Sequence, residues 1–242
     1  MKRFTVTTGL WGLGIWGLGI AASLAAPLAQ AGECGCGDLP VMLKELTEHE
    51  YNQKLFQGYA DYMPYAVQNS DELKALAEKQ FNAAFYSEAV AGTAQGGHAA
   101  LGTDVRDPTC PILSYVYDKK GKKVLGKDGK PKLAPVTEKT YRTSQCAGRT
   151  RADFAHENAH VDNCRKLVES NKVNMWDNLT FFARDDANAY KVGADVLRNE
   201  IRALAATCGW ESSTRNRLPD FDEAEALAKK AAKARPDRRK KK

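Results

Sequence analysis

All six cysteines of the chain, Cys34, Cys36, Cys110, Cys146, Cys164 and Cys208, lie downstream of a stretch from Phe4 to Gly32 that carries no charged residue. An even set of cysteines behind such a leader reads as a disulfide framework, because thiols pair in the oxidising compartments that exported chains enter. The leader has the three parts of a secretory signal peptide. These are the basic start Met1-Lys2-Arg3, an apolar run from Leu10 to Ile20, and Ala29-Gln30-Ala31, after which cleavage is expected. A secreted or periplasmic location follows. Three bridges are expected, and the sequence leaves their pairing open. Cys34 and Cys36 are near neighbours that should bond to distant partners, and Cys164 is expected to reach Cys146 or Cys208.

Cleavage after Ala31 leaves 211 of the 242 residues, enough for one domain with a core of its own. It lowers the formal net charge from +6 to +4, much of it in the last residues. That balance gives no reason to expect a nucleic acid partner. No later stretch is apolar enough to span a bilayer, so no stable membrane insertion is expected once the leader is gone.

Hydrophobic spacing predicts a mainly helical α+β domain over 32–210. Its helical part spans 39–91: a first helix from Leu39 to about Val67, with Met42, Leu43, Leu46, Tyr51, Leu55, Tyr59 and Tyr62 on its apolar side, and a second from about Asp71 to Val90. Between Cys110 and Cys146 the character changes. Ile112 to Tyr117 reads as a strand, Lys127-Asp128-Gly129 as a turn and Val136 to Thr143 as a returning strand, giving a lysine-decorated hairpin over 111–143. The lysines are read as solvated edge protection. Two further helices follow, over 150–171 and 183–208. Residues 211–242 hold a short helix and a basic tail, Arg235 to Lys242, able to touch anionic surfaces.

The helix over 150–171 carries the chemistry. No Gly or Pro interrupts it, and Thr150 with Asp153 three residues on resembles a capping box. Within it lies His156-Glu157-Asn158-Ala159-His160. Residues four apart sit one turn apart on the same face, so both imidazoles can hold one metal ion while Glu157 stands beside a bound water. This is the His-Glu-x-x-His pattern of zinc metallopeptidases. The bland reading is two histidines on the surface of an ordinary helix.

A catalytic zinc needs a third protein ligand and an open position. Asn163 and Lys166 stand where metzincins place a glycine and a third histidine. Over roughly 50 residues, from Thr150 to Leu204, the chain instead resembles the gluzincin-like peptidases, in which a following helix often reads Glu-x-x-Ala-Tyr. Here the stretch is Asp186-Ala187-Asn188-Ala189-Tyr190. The resemblance implies Zn2+ held by His156, His160 and Asp186, with Asp185 or Glu200 as alternatives to Asp186. It implies Glu157 as general base, Tyr190 as donor to an oxyanion, and a peptide or protein substrate. Tyr190 also reads as a half-buried core tyrosine. His49 is read as a surface histidine and His98 as a loop residue. The competing function is a non-catalytic, exported, disulfide-stapled helical protein that binds a partner or the cell envelope.

Overall fold

The computed structural model describes residues 31–69, 71–72, 75–76, 79, 101–118, 121–141, 143, 145–211 and 217–234. The leader, His98 and the basic tail fall outside them, as does most of the helix expected over 71–90. Four helices stand out among the described residues: α1 (Leu39–Asn69), α2 (Ala147–Glu169), α3 (Leu179–Thr207) and α4 (Phe221–Ala234). A three-stranded antiparallel sheet, in the order β1 (Leu101–Thr103), β2 (Ile112–Tyr115), β3 (Leu133–Pro135), completes the fold. The domain is thus mainly helical with a small sheet.

Helix α3 lies at the centre, packed along α1 on one side and α2 on the other. The seam between α1 and α3 follows from side chains three and four apart meeting on one face. Along α1 the buried stripe runs Met42, Leu46, then Phe56, Ala60, Met63. On α3, Ala194, Leu197, Ile201 and Ala205 meet Leu39, Met42 and Leu46, while Ala183, Ala187 and Tyr190 meet Phe56, Ala60 and Met63. The alanines let the helix axes approach. The far half of α1 therefore turns a different face inward than its aromatic residues suggested. Tyr51 and Tyr62 are exposed, and Phe56 and Met63 are buried in their place.

Helix α2 starts three residues before the expected cap. Cys146 is its N-cap, and Thr150 lies inside the first turn with its hydroxyl donating back to the Cys146 carbonyl at 3.2 Å. A cross-link fixes that start: Cys34 bonds Cys146, and the Ala147 N–H donates to the Gly32 carbonyl at 2.7 Å. The other bridges are Cys36–Cys208, at the end of α3, and Cys110–Cys164, which ties the β1–β2 connection to the last third of α2. All six cysteines pair, and the partner of Cys164 is Cys110 rather than Cys146 or Cys208. In chain-entropy terms, closing loops of 54 to 172 residues is worth about 4–5 kcal/mol each.

The sheet rests on α2 through Tyr141 and Phe154, joined by Leu101, Ile112, Tyr117 and Val136. The returning strand pairs three residues earlier than expected, with Leu133 opposite Tyr115 and Pro135 opposite Leu113. The additional strand β1 pairs on the other side of β2, with Thr103 opposite Ile112. Short, glycine-bearing β1 carried too little pattern to be read as a strand.

Candidate metal centre

Helices α1, α2 and α3 bring their polar side chains together where the two apolar clusters of the α1–α3 seam part. On α2, His156 and His160 turn their Nε2 atoms toward each other at 3.3 Å. Two ligands of a tetrahedral zinc ion, each 2.0–2.1 Å from the metal, are separated by about 3.3–3.4 Å. The two nitrogens thus already lie along one edge of such a tetrahedron.

Helix α3 supplies two neighbouring carboxylates. Successive helical residues point about 100° apart, and here that difference lets Asp185 and Asp186 address different nitrogens of one ring. Asp185 Oδ2 accepts the Nδ1–H of His160, and Asp185 Oδ1 accepts from the side-chain amide of Asn163. Asp186 Oδ1 lies 3.6 Å from His160 Nε2. A carboxylate on the far nitrogen of an imidazole fixes its tautomer and aims the near nitrogen, as in the outer shell of metal-bound histidines. The three candidate carboxylates are thereby set apart: Asp185 supports the His160 ring, Asp186 Oδ1 lies beside His160 Nε2, and Glu200 is engaged elsewhere, paired with Arg151 at 2.7 Å.

The protons follow from this geometry. Burial opposes charge on His160, but the hydrogen bond it donates to Asp185 and the charges of Asp185, Asp186 and Glu157 outweigh it and lift its pKa to about 9. Burial, with His160 and His49 nearby, holds His156 well below its usual value, against a favourable interaction with the Ala189 backbone. His160 therefore favours its protonated form, and His156 its neutral form, more than a free imidazole does.

Glu157 projects toward the sheet side of α2. The Thr103 hydroxyl lies 2.8 Å from Glu157 Oε2 and 3.1 Å from the Glu157 carbonyl oxygen, so strand β1 holds the carboxylate by one hydrogen bond shared or alternating between them. Burial raises the pKa of Glu157, with His160 and Thr103 opposing. A carboxylate with a raised pKa is a better proton acceptor near neutrality.

Two aromatic groups pack against His156. The Tyr190 ring stands edge-on to it at 4.5 Å and stacks on Phe56 at 5.7 Å, and Tyr190 is only 6% exposed. His49 is not the surface residue expected: its ring lies 5.4 Å from Tyr190 and 6.1 Å from His156. Its Nδ1–H donates to the Glu45 carbonyl at 3.0 Å, and burial lowers its pKa. Gly193 makes room for it, since a Cβ there would stand 2.8 Å from the His49 ring. A signal for His49 was present. It follows Met42 and Leu46 at the four-then-three spacing of the buried stripe. Thr103 and Asn163 had no comparable signal, because each acts through a contact between separate elements.

Among the described residues, no three His, Cys, Asp or Glu side chains are disposed as a complete metal cage. The arrangement is a pair of imidazole nitrogens at ligand spacing with one carboxylate oxygen beside the second. This donor set, two nitrogens and an oxygen, suits zinc. No family model matches the chain, and no curated protein and no solved structure matches it either.

Proposed function

We propose that the protein is a zinc-dependent hydrolase, a metallopeptidase of the zincin type, that acts outside the cytoplasm. The observation that carries this reading is the 3.3 Å separation of the His156 and His160 Nε2 atoms, with Asp185 on the far nitrogen of His160. His156 and His160 would hold the ion and Asp186 would complete the site. Zinc bound there would acidify a water molecule and polarise a substrate carbonyl. Glu157, oriented by Thr103, would serve as the general base, accepting a proton from the attacking water and returning it to the leaving amine. Asp185 and Asn163 keep His160 aimed. Tyr190 packs against His156, and its hydroxyl is the proposed donor to the developing oxyanion. His160 and Asp186 keep side-chain exposures of 12% and 11%.

Export rests on the charge-free leader before Gly32, supported by the three disulfides. No helix among the described residues is long and apolar enough to cross a membrane.

A second reading has its own support. The same enclosure of His160 and Asp186 suits a zinc site that only braces α2 against α3 in a non-catalytic protein binding a partner or the envelope. One comparison separates the two. Glu157→Gln should keep zinc and lose about 10²–10⁴-fold in peptide hydrolysis. Zinc retention without hydrolysis by either form would leave the bracing role.

A further inference from the structure

The hairpin beyond β2 and β3 has no part in the metal centre. It continues from the Tyr115–Leu133 end of the sheet, whereas the opposite pair, Thr103 and Ile112, is the one next to Glu157. Between Asp118 and Lys132 the sequence holds seven lysines, two aspartates and no arginine. Its described residues pair across the hairpin: Val124 N–H donates to the Val116 carbonyl and Lys132 N–H to the Val124 carbonyl, each at 2.8 Å, and Gly126 N–H donates to the Lys130 carbonyl at 2.7 Å. Lys122, Lys123, Lys127, Lys130 and Lys132 are all exposed. Among them stand two leucines that no cluster covers, Leu125 at 57% and Leu133 at 54% exposure. Leu125 bridges to Pro131, two residues before Leu133; Leu133 opposes Tyr115, and the Lys123 ammonium lies 3.8 Å over the Tyr115 ring.

We infer that this hairpin docks the protein onto an anionic phospholipid surface. Solvated edge protection explains lysines but not exposed leucines between them. Apolar tips rimmed by ammonium groups fit an interface where acyl chains lie just below phosphate, and a tyrosine ring suits the headgroup level. The absence of arginine argues against nucleic acid, whose phosphates and base edges are best met by the planar guanidinium fork. Each lysine near an anionic membrane is worth about a fivefold gain in partitioning.

The test is sedimentation of the full chain with phosphatidylcholine vesicles, with and without phosphatidylglycerol. Binding to the neutral vesicles measures the apolar contributions that need no anionic lipid, that of the uncharged N-terminal stretch included, so the increment on adding phosphatidylglycerol is the quantity read. The expected result is a salt-sensitive increment that falls about a hundredfold or more when Lys122, Lys123, Lys127 and Lys130 become Gln. Leu125→Ser with Leu133→Ser should reduce it further in a way that low salt does not restore. These positions are exposed, so unchanged thermal melts will show the fold intact. The inference is overturned if there is no increment, or if the increment survives the lysine changes and is lost on deleting 235–242. It is equally overturned if the leucine changes have no effect while heparin binds as well as the vesicles do.

Discussion

Two parts of the α1–α3 seam sit side by side and obey opposite rules. Toward the disulfide-stapled end, Leu39, Met42 and Leu46 meet Ala194, Leu197, Ile201 and Ala205 in one apolar cluster. Each large side chain buried there contributes about 1.5–3 kcal/mol. A little further along α3, Asp185 and Asp186 are 3% and 8% exposed, next to a histidine cation. Taking a carboxylate out of water costs several kcal/mol, and an ion pair returns that only with good geometry and further hydrogen bonds. Apolar residues would hold two helices together there at lower cost. A buried pair of carboxylates on one imidazole is thus a costly way to join two helices, a cost that the proposed metal site would account for.

That contrast can be broken at several points, from large effects to small. The largest is chemical: Glu157→Gln should abolish nearly all hydrolysis while leaving the thermal melt close to the parent, because the amide still accepts from Thr103. Next, Ile201→Ala in the apolar part should lower stability by about 2–5 kcal/mol in a denaturant titration and leave zinc affinity alone. In the polar part the pattern reverses. Asp185→Asn should weaken zinc binding about 10–100-fold, read by competition with a chelating dye. If Ile201→Ala shifted zinc affinity as much as Asp185→Asn, the two regions would not be functionally distinct.

The smallest effect sharpens the boundary between them. Asp153, one turn before Glu157, is pushed up to about 7 by burial and by Glu45, against the Gln145 hydrogen bond and Arg149. A carboxyl whose folded pKa exceeds its unfolded value near 3.8 favours the folded state most below that value. Its contribution is lost as pH rises through about 7. Asp153→Asn should therefore match the parent below pH of about 4 and become the more stable of the two as pH rises through about 7, in melts run across pH. A constant difference at all pH values would show that Asp153 does not titrate in this window.

How much of this was legible in the sequence differs between the same regions. The helices of the seam announced themselves through spacing, and all six cysteines were rightly read as bridges. Their partners were not legible, since pairing depends on which ends of α1, α2 and α3 come to rest together. His156, Glu157 and His160 could be singled out because their relation lies within one helix. His160 with Asp185, Glu157 with Thr103, and His49 with Tyr190 each join separate elements, so local pattern does not report them. His49 hid in plain view on the buried stripe of α1, where a polar residue at an apolar position is itself a sign of a polar site.

The central claim is that neighbouring turns of α2 and the acidic start of α3 hold one metal ion. Zinc titration of metal-free protein by calorimetry, beside His156→Ala and His160→Ala, addresses it directly. The account predicts one tight equivalent per chain in the parent and none in either variant. No binding by the parent, or equal binding by all three proteins, would contradict it.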